Sequence, residues 1–236
     1  MNWHALLSSL FPAGFSVQEE ASVLSGSGVV NGKTIAVIGT CNHTPIGVET
    51  ALEQARLVLE VVQNFPSRPI LLLVDTQGQR LRHRDEMLGI NSYMAHLGKC
   101  LQIARERGHS ILALVYDQAL SGGFITSGMM ADACYALPEA TIRVMGLPAM
   151  ARITKVAEDV LTELAKDNPV FAPGPLNYER MGGVEAIWDA DLSAQLETAL
   201  QQASSVDLRS KKGAERGGRL KAQLVIDAVL ALPADV

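Results

Sequence analysis

The chain has 236 residues, of which 48% are hydrophobic and 19% charged, a composition typical of globular proteins and not of disordered ones. The net charge of −5 gives no reason to expect nucleic acid as a partner. No window holds the ~18 uninterrupted apolar residues of a membrane span, and the first residues lack the pattern of a signal peptide. The cysteines have no CxxC spacing, as in cytosolic proteins with reduced thiols. We therefore expect one cytoplasmic domain, residues 1–236, without membrane contact.

The first part of the chain alternates predicted strands and helices. WHALLSSLF at 3–11 suits one or two turns of an amphipathic helix, which makes 1–14 a possible segment for docking on a neighbour. GSGVVNG at 26–32 is rich in turn residues. The apolar, β-branched run TIAVIGT at 34–40 predicts a strand. A helix follows at 48–63. Its expected buried face consists of Ala51, Ala55, Leu57, Leu59 and Val62.

The same pattern then repeats. PILLLVD at 69–75 is continuously apolar, as expected of a strand covered on both faces, and a polar loop leads from it to a helix at 90–109. A third strand at 111–117 precedes an SGG turn and a short helix at about 124–131. CYALPEATIRVM, which starts at Cys134, predicts a strand, a turn and another strand.

The C-terminal part is mostly helical by the same criterion. Helices are predicted at 153–167, 190–203 and about 214–231. Between the first two, VFAPGPLNYERMGG at 170–183 is too rich in proline and glycine for regular structure. Strand–helix units that recur along the chain indicate a layered α/β domain.

Two junctions between a strand and a loop are the best candidates for a functional site. VDTQG at 74–78 and the loop at 117–123 each follow an apolar strand and place glycine near a helix entrance. Glycine allows close approach to the backbone, and the first N–H groups of a helix are unpaired at its positive end. Gly122, Gly123 and Gly78 are therefore candidate donors of an oxyanion hole. The alternative is that these glycines only permit tight turns and close packing.

Ser121 suggests a nucleophile, which would need a histidine base and an orienting acid. His43, His83 and His96 stand in no recognisable motif with it, so a helix-capping role is favoured. No histidine pair has the i,i+4 spacing of a metal site, and no metal is expected. Three carboxylates are interpreted as loop and cap groups: Asp75, Asp85 and Glu86.

A basic run follows the first glycine loop. It contains Arg80, Arg82, His83 and Arg84. Such runs most often form a solvated surface. The position beside a candidate site adds a second interpretation, the binding of phosphate or of the acidic face of a carrier protein.

Four motifs in combination resemble a known family. They are DTQG at 75–78, SGGFITSG at 121–128, LPEATI at 137–142 and FAPGPLNY at 171–178. Together they are similar to the gamma subunit of biotin-independent malonate decarboxylase, in the carboxyltransferase branch of the crotonase superfamily. The similarity runs from about residue 15 to the final helices.

The resemblance implies an α/β fold, a crotonase- or ClpP-like spiral of ββα units with additional C-terminal helices. It implies an active site at the contact with a beta subunit, where a malonyl thioester loses carbon dioxide to give the acetyl thioester. The thioester would be carried on the phosphoribosyl-dephospho-coenzyme A arm of an acyl carrier protein, and an alpha subunit would exchange the acyl groups. No biotin and no directly bound cofactor are expected.

The resemblance also assigns residues. Gly78, Gly122 and Gly123 are the expected catalytic amides. Substrate binding is assigned to Gln77, Ser121, Phe124, Arg80, Arg82 and Arg84. Gln77 departs from the related carboxyltransferases, which usually have proline in this loop. The hole at Gly122–Gly123 is left with two interpretations: it binds the malonyl carboxylate or departing carbon dioxide, or it binds the thioester oxygen.

Three alternatives remain open on the sequence. The chain could be half of a carboxyltransferase that exchanges carboxyl with biotin, although DTQG and FAPGPLNY favour the decarboxylase. It could be a Clp-like peptidase that uses Ser121. It could also be an inert structural subunit, with all chemistry on the beta chain.

Overall fold

Eight strands form one sheet in a computed structural model that describes residues 2–166, 174–218 and 220–233. The strands are β1 (Phe15–Glu20), β2 (Val23–Val30), β3 (Lys33–Thr40), β4 (Ile70–Thr76), β5 (Ile111–Leu120), β6 (Ala133–Ala136), β7 (Thr141–Arg143) and β8 (Ala186–Ile187). The helices are α1 (Trp3–Leu10), α2 (Val48–Asn64), α3 (His83–Met87), α4 (Ile90–Glu106), α5 (Ser121–Ser127), α6 (Leu147–Thr154), α7 (Glu158–Leu164), α8 (Pro175–Arg180), α9 (Leu192–Gln202), α10 (Arg209–Glu215) and α11 (Leu220–Leu230).

The strand order is β1-β2-β3-β4-β5-β6-β8, with β7 beside β5. The first three strands are antiparallel, and every pairing from β3 onward is parallel. β5 has ten residues, and it pairs with β6 in its first half, at Leu112–Val115, and with β7 at its end. The last of these pairs joins Leu120 to Arg143. This arrangement places the end of β7 next to the SGG turn.

Both faces of the sheet are covered. Apolar residues of α2, α4 and α5 fill one face, and α1 and α9 fill the other. Every residue of β4 is buried, which explains its continuous apolar run. Each large aliphatic side chain taken out of water contributes roughly 1.5–3 kcal/mol, so these two cores fix the strands whose ends build the site.

Several predicted elements are confirmed. The strands at 34–40 and 69–75 correspond to β3 and β4, and the helices at 48–63 and 90–109 to α2 and α4. The buried face of α2 is only partly as predicted. Ala51 and Ala55 are fully buried, but Val58 and Val61 complete the face, while Leu59 is 37% exposed.

The predictions near the N-terminus differ in outcome. α1 packs on its own domain, where Leu6, Leu7 and Leu10 are fully buried, and docking of the segment 1–14 on a neighbour stays a prediction. GSGVVNG is not a turn region, because most of it belongs to β2. Its small residues are tolerated because β2 pairs with β1 on one side and β3 on the other.

The helix predictions beyond β5 are corrected in their bounds. α5 begins at Ser121, so Gly122 and Gly123 lie in its first turn and not ahead of it. The predicted helix at 153–167 is two helices, α6 and α7, separated at Lys155, whose φ of 61° ends α6. Asp167 lies outside the described residues.

The last third of the chain contains more helix than predicted. The segment at 170–183 includes α8, which begins at Pro175 directly after Gly174, while 170–173 lie outside the described residues. The predicted helix at 214–231 corresponds to parts of α10 and α11. None of the described helices combines the length and apolar content needed to cross a bilayer.

Candidate active site

The turn between β5 and α5 has the geometry of a strained functional turn. Ser121 has a φ of 53°, a left-handed conformation that is uncommon for residues other than glycine and is concentrated at active sites. The next two residues begin α5, where N–H groups have no intrahelical acceptor. Among the described residues, neither Gly122 nor Gly123 donates its N–H to a side chain or a loop carbonyl. These two amides are therefore available to an anionic oxygen.

Gly78 and Gly123 touch each other. A Cβ added at Gly123 would lie 2.9 Å from the carbonyl carbon of Gly78 and from Cγ1 of Ile46. A Cβ at Gly78, whose φ is 100°, would lie 2.9 Å from the carbonyl oxygen of Leu120 and from Cβ of Ser121. No side chain larger than hydrogen fits at either position without moving backbone. The two predicted loops therefore meet, as the oxyanion interpretation requires.

The proposed donor at Gly78 is nevertheless already used. Its N–H donates to Oγ1 of Thr76 at 3.0 Å, and its carbonyl accepts from the N–H of Ile46 at 2.8 Å. Thr76 is itself fully buried and donates its hydroxyl to the carbonyl of Thr44. In this conformation Gly78 positions the turn of Gly123 and does not supply a second donor.

The remaining predicted side chains separate into exposed and buried groups. Gln77 is exposed and so lies accessible at the turn, while Ser121 is half-buried. No hydrogen bond joins the Ser121 hydroxyl to a histidine in the described part of the chain, which removes the support for a peptidase triad. Phe124 is only 3% exposed and packs edge-on against Tyr178, with ring centroids 6.4 Å apart. The structure therefore shows this ring packed in the domain, and its assignment to substrate binding stays a prediction.

The basic run is largely compensated by acidic side chains. Arg84 forms an ion pair with Glu49, and Arg80 lies 3.7 Å from the same carboxylate. Nε of Arg82 lies 3.2 Å from Oδ2 of Asp85, which is fully buried and also accepts the N–H of Val48. Arg82 and Arg84 are about half exposed. Asp85 does serve as a cap for α2, whereas the assignment of the arginines to substrate stays a prediction.

A cluster that the sequence did not reveal lies at the ends of β3, β4 and β5. Nε2 of His43 lies 3.2 Å from Oδ1 of Asp117 and 3.6 Å from Oδ1 of Asp75. Asp75 also accepts the N–H groups of His43 at 2.9 Å and Gln118 at 3.3 Å. Burial raises the pKa of the Asp75 carboxyl, and the N–H and ring of His43 oppose this rise. Because the three residues are far apart in sequence, only the parallel pairing of the strands brings them together.

This cluster is also the grouping of described residues best able to hold a metal ion. The ligand atoms of His43, Asp75 and Asp117 all lie within 4.8 Å of one another. Such atoms match the nitrogen and oxygen ligands of a divalent cation, but the same distances describe an ion-paired histidine. The loop supports the description as an ion-paired histidine. Asn42 and His43 both have positive φ, in a turn closed by a hydrogen bond from the N–H of Thr44 to the carbonyl of Cys41, and this turn holds His43 against Asp75.

An apolar groove borders the first turn of α5. It lies between α4 and α5 and has a volume of about 580 Å³. Its lining includes Met94, Ala95, Gly98, Ile125 and Met130. Cε of Met94 lies 3.3 Å from the position of a Cβ on Gly122. Met94 therefore lies both in the groove and beside Gly122, and the sequence indicated this residue only as part of a helix stripe.

Comparison with known proteins assigns the family. A family model for the malonate decarboxylase gamma subunit matches residues 41–233. The chain belongs to the malonate decarboxylase gamma-subunit family. This result confirms the resemblance drawn from DTQG, SGGFITSG, LPEATI and FAPGPLNY.

Individual known proteins are also similar to this chain. The malonyl-S-ACP:biotin-protein carboxyltransferase MADD of Malonomonas rubra is 37% identical over 151 residues, which are 60% of this chain. The matching part spans about half the length of that relative, 52%.

Solved structures show the same fold. The Pseudomonas malonate decarboxylase MdcD-MdcE hetero-dimer matches with a TM-score of 0.75 and 24% identity, over 96% of each chain. Transcarboxylase 12S matches with a TM-score of 0.71 and 18% identity, over 86% of this chain and 42% of the other. The expected carboxyltransferase-type crotonase fold is thereby confirmed.

Proposed function

We propose that this chain is a catalytic subunit of a malonate decarboxylase, which acts with a beta subunit on a malonyl thioester carried by an acyl carrier protein. The observation that carries the proposal is the pair of unengaged amides at Gly122 and Gly123, held against Gly78 in a chain of this family. The products would be the acetyl thioester and carbon dioxide.

The chemistry needs fixed donors more than a nucleophile. When the bond between the α-carbon and the carboxylate breaks, its electron pair stays on the α-carbon and delocalises onto the thioester oxygen as an enolate. Carbon dioxide leaves uncharged, and a proton delivered from water restores the methyl group. Preorganised N–H donors stabilise the developing charge, and loss of one typically costs about 2.7–4 kcal/mol of barrier. Aligned amides at the start of α5 supply this requirement without metal or base.

Which oxygen these amides receive depends on the partner subunit. Only two donors are available at Gly122 and Gly123, because the N–H of Gly78 is occupied. A second set of donors would therefore be needed for the other end of the malonyl group. We assign the thioester oxygen, on which the charge develops, to the amides of this chain, and we expect the carboxylate end of the malonyl group to be held by other donors of the assembled enzyme. The hetero-dimeric assembly named for the Pseudomonas enzyme supports the expectation of a beta partner.

A biotin-linked carboxyl transfer is the second candidate. It is favoured by one observation, the 37% identity to a relative described as a malonyl-S-ACP:biotin-protein carboxyltransferase. In that case the carboxyl group would pass to biotin instead of leaving as free carbon dioxide. The donors at α5 would serve both reactions, because each begins with the same bond cleavage.

Reconstitution with the beta subunit separates the candidates. The assembled subunits, given malonyl-carrier protein, should release carbon dioxide at the same rate with and without avidin and without any biotin protein. Release that requires a biotin protein, or that avidin blocks, would assign the transfer reaction. Activity of the beta subunit alone would show that this chain is structural.

A further inference from the structure

Arg143 ends β7 beside the turn that starts α5. The register pairs Arg143 with Leu120, the residue directly before Ser121, and neighbouring strands lie about 4.8 Å apart. The guanidinium of an arginine is therefore within side-chain reach of the turn. Residues 118–120 pair with 141–143 only because β5 continues beyond β6, so this placement is a property of the fold and not of local sequence.

The charge of Arg143 has no partner among the residues that the structure describes. Its Nε is buried and makes no hydrogen bond to any described residue, and no ion pair with a described carboxylate involves this side chain. A buried charged donor without an acceptor is costly, since it has given up its hydration. Arg143 is partly buried as a residue, and the similarly placed Arg105 is, by contrast, paired with Asp132. The unpaired Nε of Arg143 therefore indicates that this side chain binds an anion.

The surroundings of Arg143 connect it to the candidate active site. Burial raises the pKa of the Tyr178 phenol, and the guanidinium of Arg143 opposes that rise, so the two groups lie close together. Tyr178 in turn packs edge-on against Phe124, in the first turn of α5. These contacts therefore place Arg143 beside Tyr178 and, through it, beside Phe124, the residue that follows Gly123.

We propose that Arg143 binds the free carboxylate of the malonyl group, an inference that rests on the function proposed above. A guanidinium offers two parallel N–H donors that match a carboxylate. The ion pair forms in the bound substrate and persists while the bond is breaking, and it is lost only when carbon dioxide leaves uncharged. Arg143 therefore contributes to binding and to the choice of malonyl over acetyl thioesters, and it does not lower the barrier of the bond cleavage.

The test compares Arg143→Met with wild type in the complex with the beta subunit. Binding of malonyl-coenzyme A and acetyl-coenzyme A is measured by calorimetry, together with kcat and KM for decarboxylation. We expect affinity for the malonyl thioester to fall about 10- to 100-fold, the usual effect of losing a charged hydrogen bond, with KM raised in parallel. Affinity for the acetyl thioester and kcat should change by less than about threefold.

Two further variants control for structure. Arg152→Met removes an exposed arginine of α6 and should leave both affinities unchanged. Arg143→Lys keeps the charge without the paired donors, and should recover part of the malonyl affinity; it also provides the measurement if Arg143→Met fails to assemble.

Several outcomes would overturn the inference. Equal losses for malonyl and acetyl thioesters would show a structural role, and a lower kcat at constant KM would show that Arg143 stabilises the enolate. Unchanged binding in Arg143→Met, or a wild-type complex that does not prefer malonyl over acetyl thioester, would also refute it. Because these affinities need no turnover, the assignment can fail or hold even if the products are those of biotin carboxylation.

Discussion

Replacing Gly123 with alanine tests whether the backbone of α5 forms part of the catalytic machinery. The added Cβ would lie 2.9 Å from the carbonyl carbon of Gly78 and 3.0 Å from its Cα, distances that real Cβ atoms essentially never show. Because backbone and not a flexible side chain is in the way, the first turn of α5 must shift. Overpacking of this kind typically lowers the free energy of unfolding by about 1–3 kcal/mol.

The expected effect on catalysis is larger than the effect on stability. A displaced donor loses alignment with the oxyanion, so kcat of the reconstituted enzyme should fall about 10²–10³-fold, equivalent to about 2.7–4 kcal/mol of barrier. Urea unfolding of the isolated chain and single-turnover release of carbon dioxide measure the two quantities separately. Both are needed, because a shifted α5 affects folding and chemistry together.

Gly122→Ala is the matched control. Its Cβ would meet only Cε of Met94 at 3.3 Å and Oε1 of Gln79 at 3.7 Å, both ends of flexible side chains. The variant should keep its stability and assembly, and its kcat should fall less than that of Gly123→Ala because the amides stay in place. A Gly123→Ala enzyme that is destabilised but turns over at the wild-type rate would refute the oxyanion assignment.

Three other perturbations have defined outcomes. Arg84→Glu places a second negative charge beside Glu49. If the basic run contacts the carrier protein, KM for the carrier thioester should rise several-fold at low salt, with kcat retained. An unchanged KM would mean that the basic run is only solvated surface. Because burial raises the pKa of the Asp75 carboxyl, the unfolded chain ionises first as pH rises through about 4. Wild type should therefore lose stability relative to Asp75→Asn as the pH rises above about 4, as urea unfolding would measure. The opposite slope would mean that pairing with His43 dominates. Burial also raises the pKa of the Cys134 thiol to about 12. In the native protein at pH 8, this thiol should therefore resist alkylation by iodoacetamide, as measured by mass spectrometry. Rapid labelling would contradict its buried position.

The sequence predicted those parts of the fold that depend on local patterns. β4 is predictable because a strand buried on both faces is apolar at every position. α4 is predictable because a helix buried along one stripe repeats its apolar residues with the helical period. β2 was missed because its small residues look like a turn, and only pairing on both sides makes them a strand. The start of α5 was placed three residues late, since the left-handed Ser121 that allows an immediate start is not visible in sequence.

The candidate site divides in the same way. The glycine turns were found because a missing side chain leaves a trace in the sequence, and their contact followed from the neighbouring strands. The occupied N–H of Gly78 depends on one side-chain rotamer of Thr76, which no spacing encodes. The position of Arg143 depends on β5 pairing with two strands in succession. Long-range register therefore limits what sequence alone can say about a site.

The contact between Gly78 and Gly123 has a mechanical consequence. Because both residues have only hydrogen as a side chain, the backbone of the turn after β4 is in direct contact with the start of α5. A displacement of one would therefore push against the other. Gln77 stands exposed on the first of these turns. A subunit or carrier protein that displaces Gln77 on docking would thus also displace the amides at the start of α5, so docking would change the geometry of the catalytic donors.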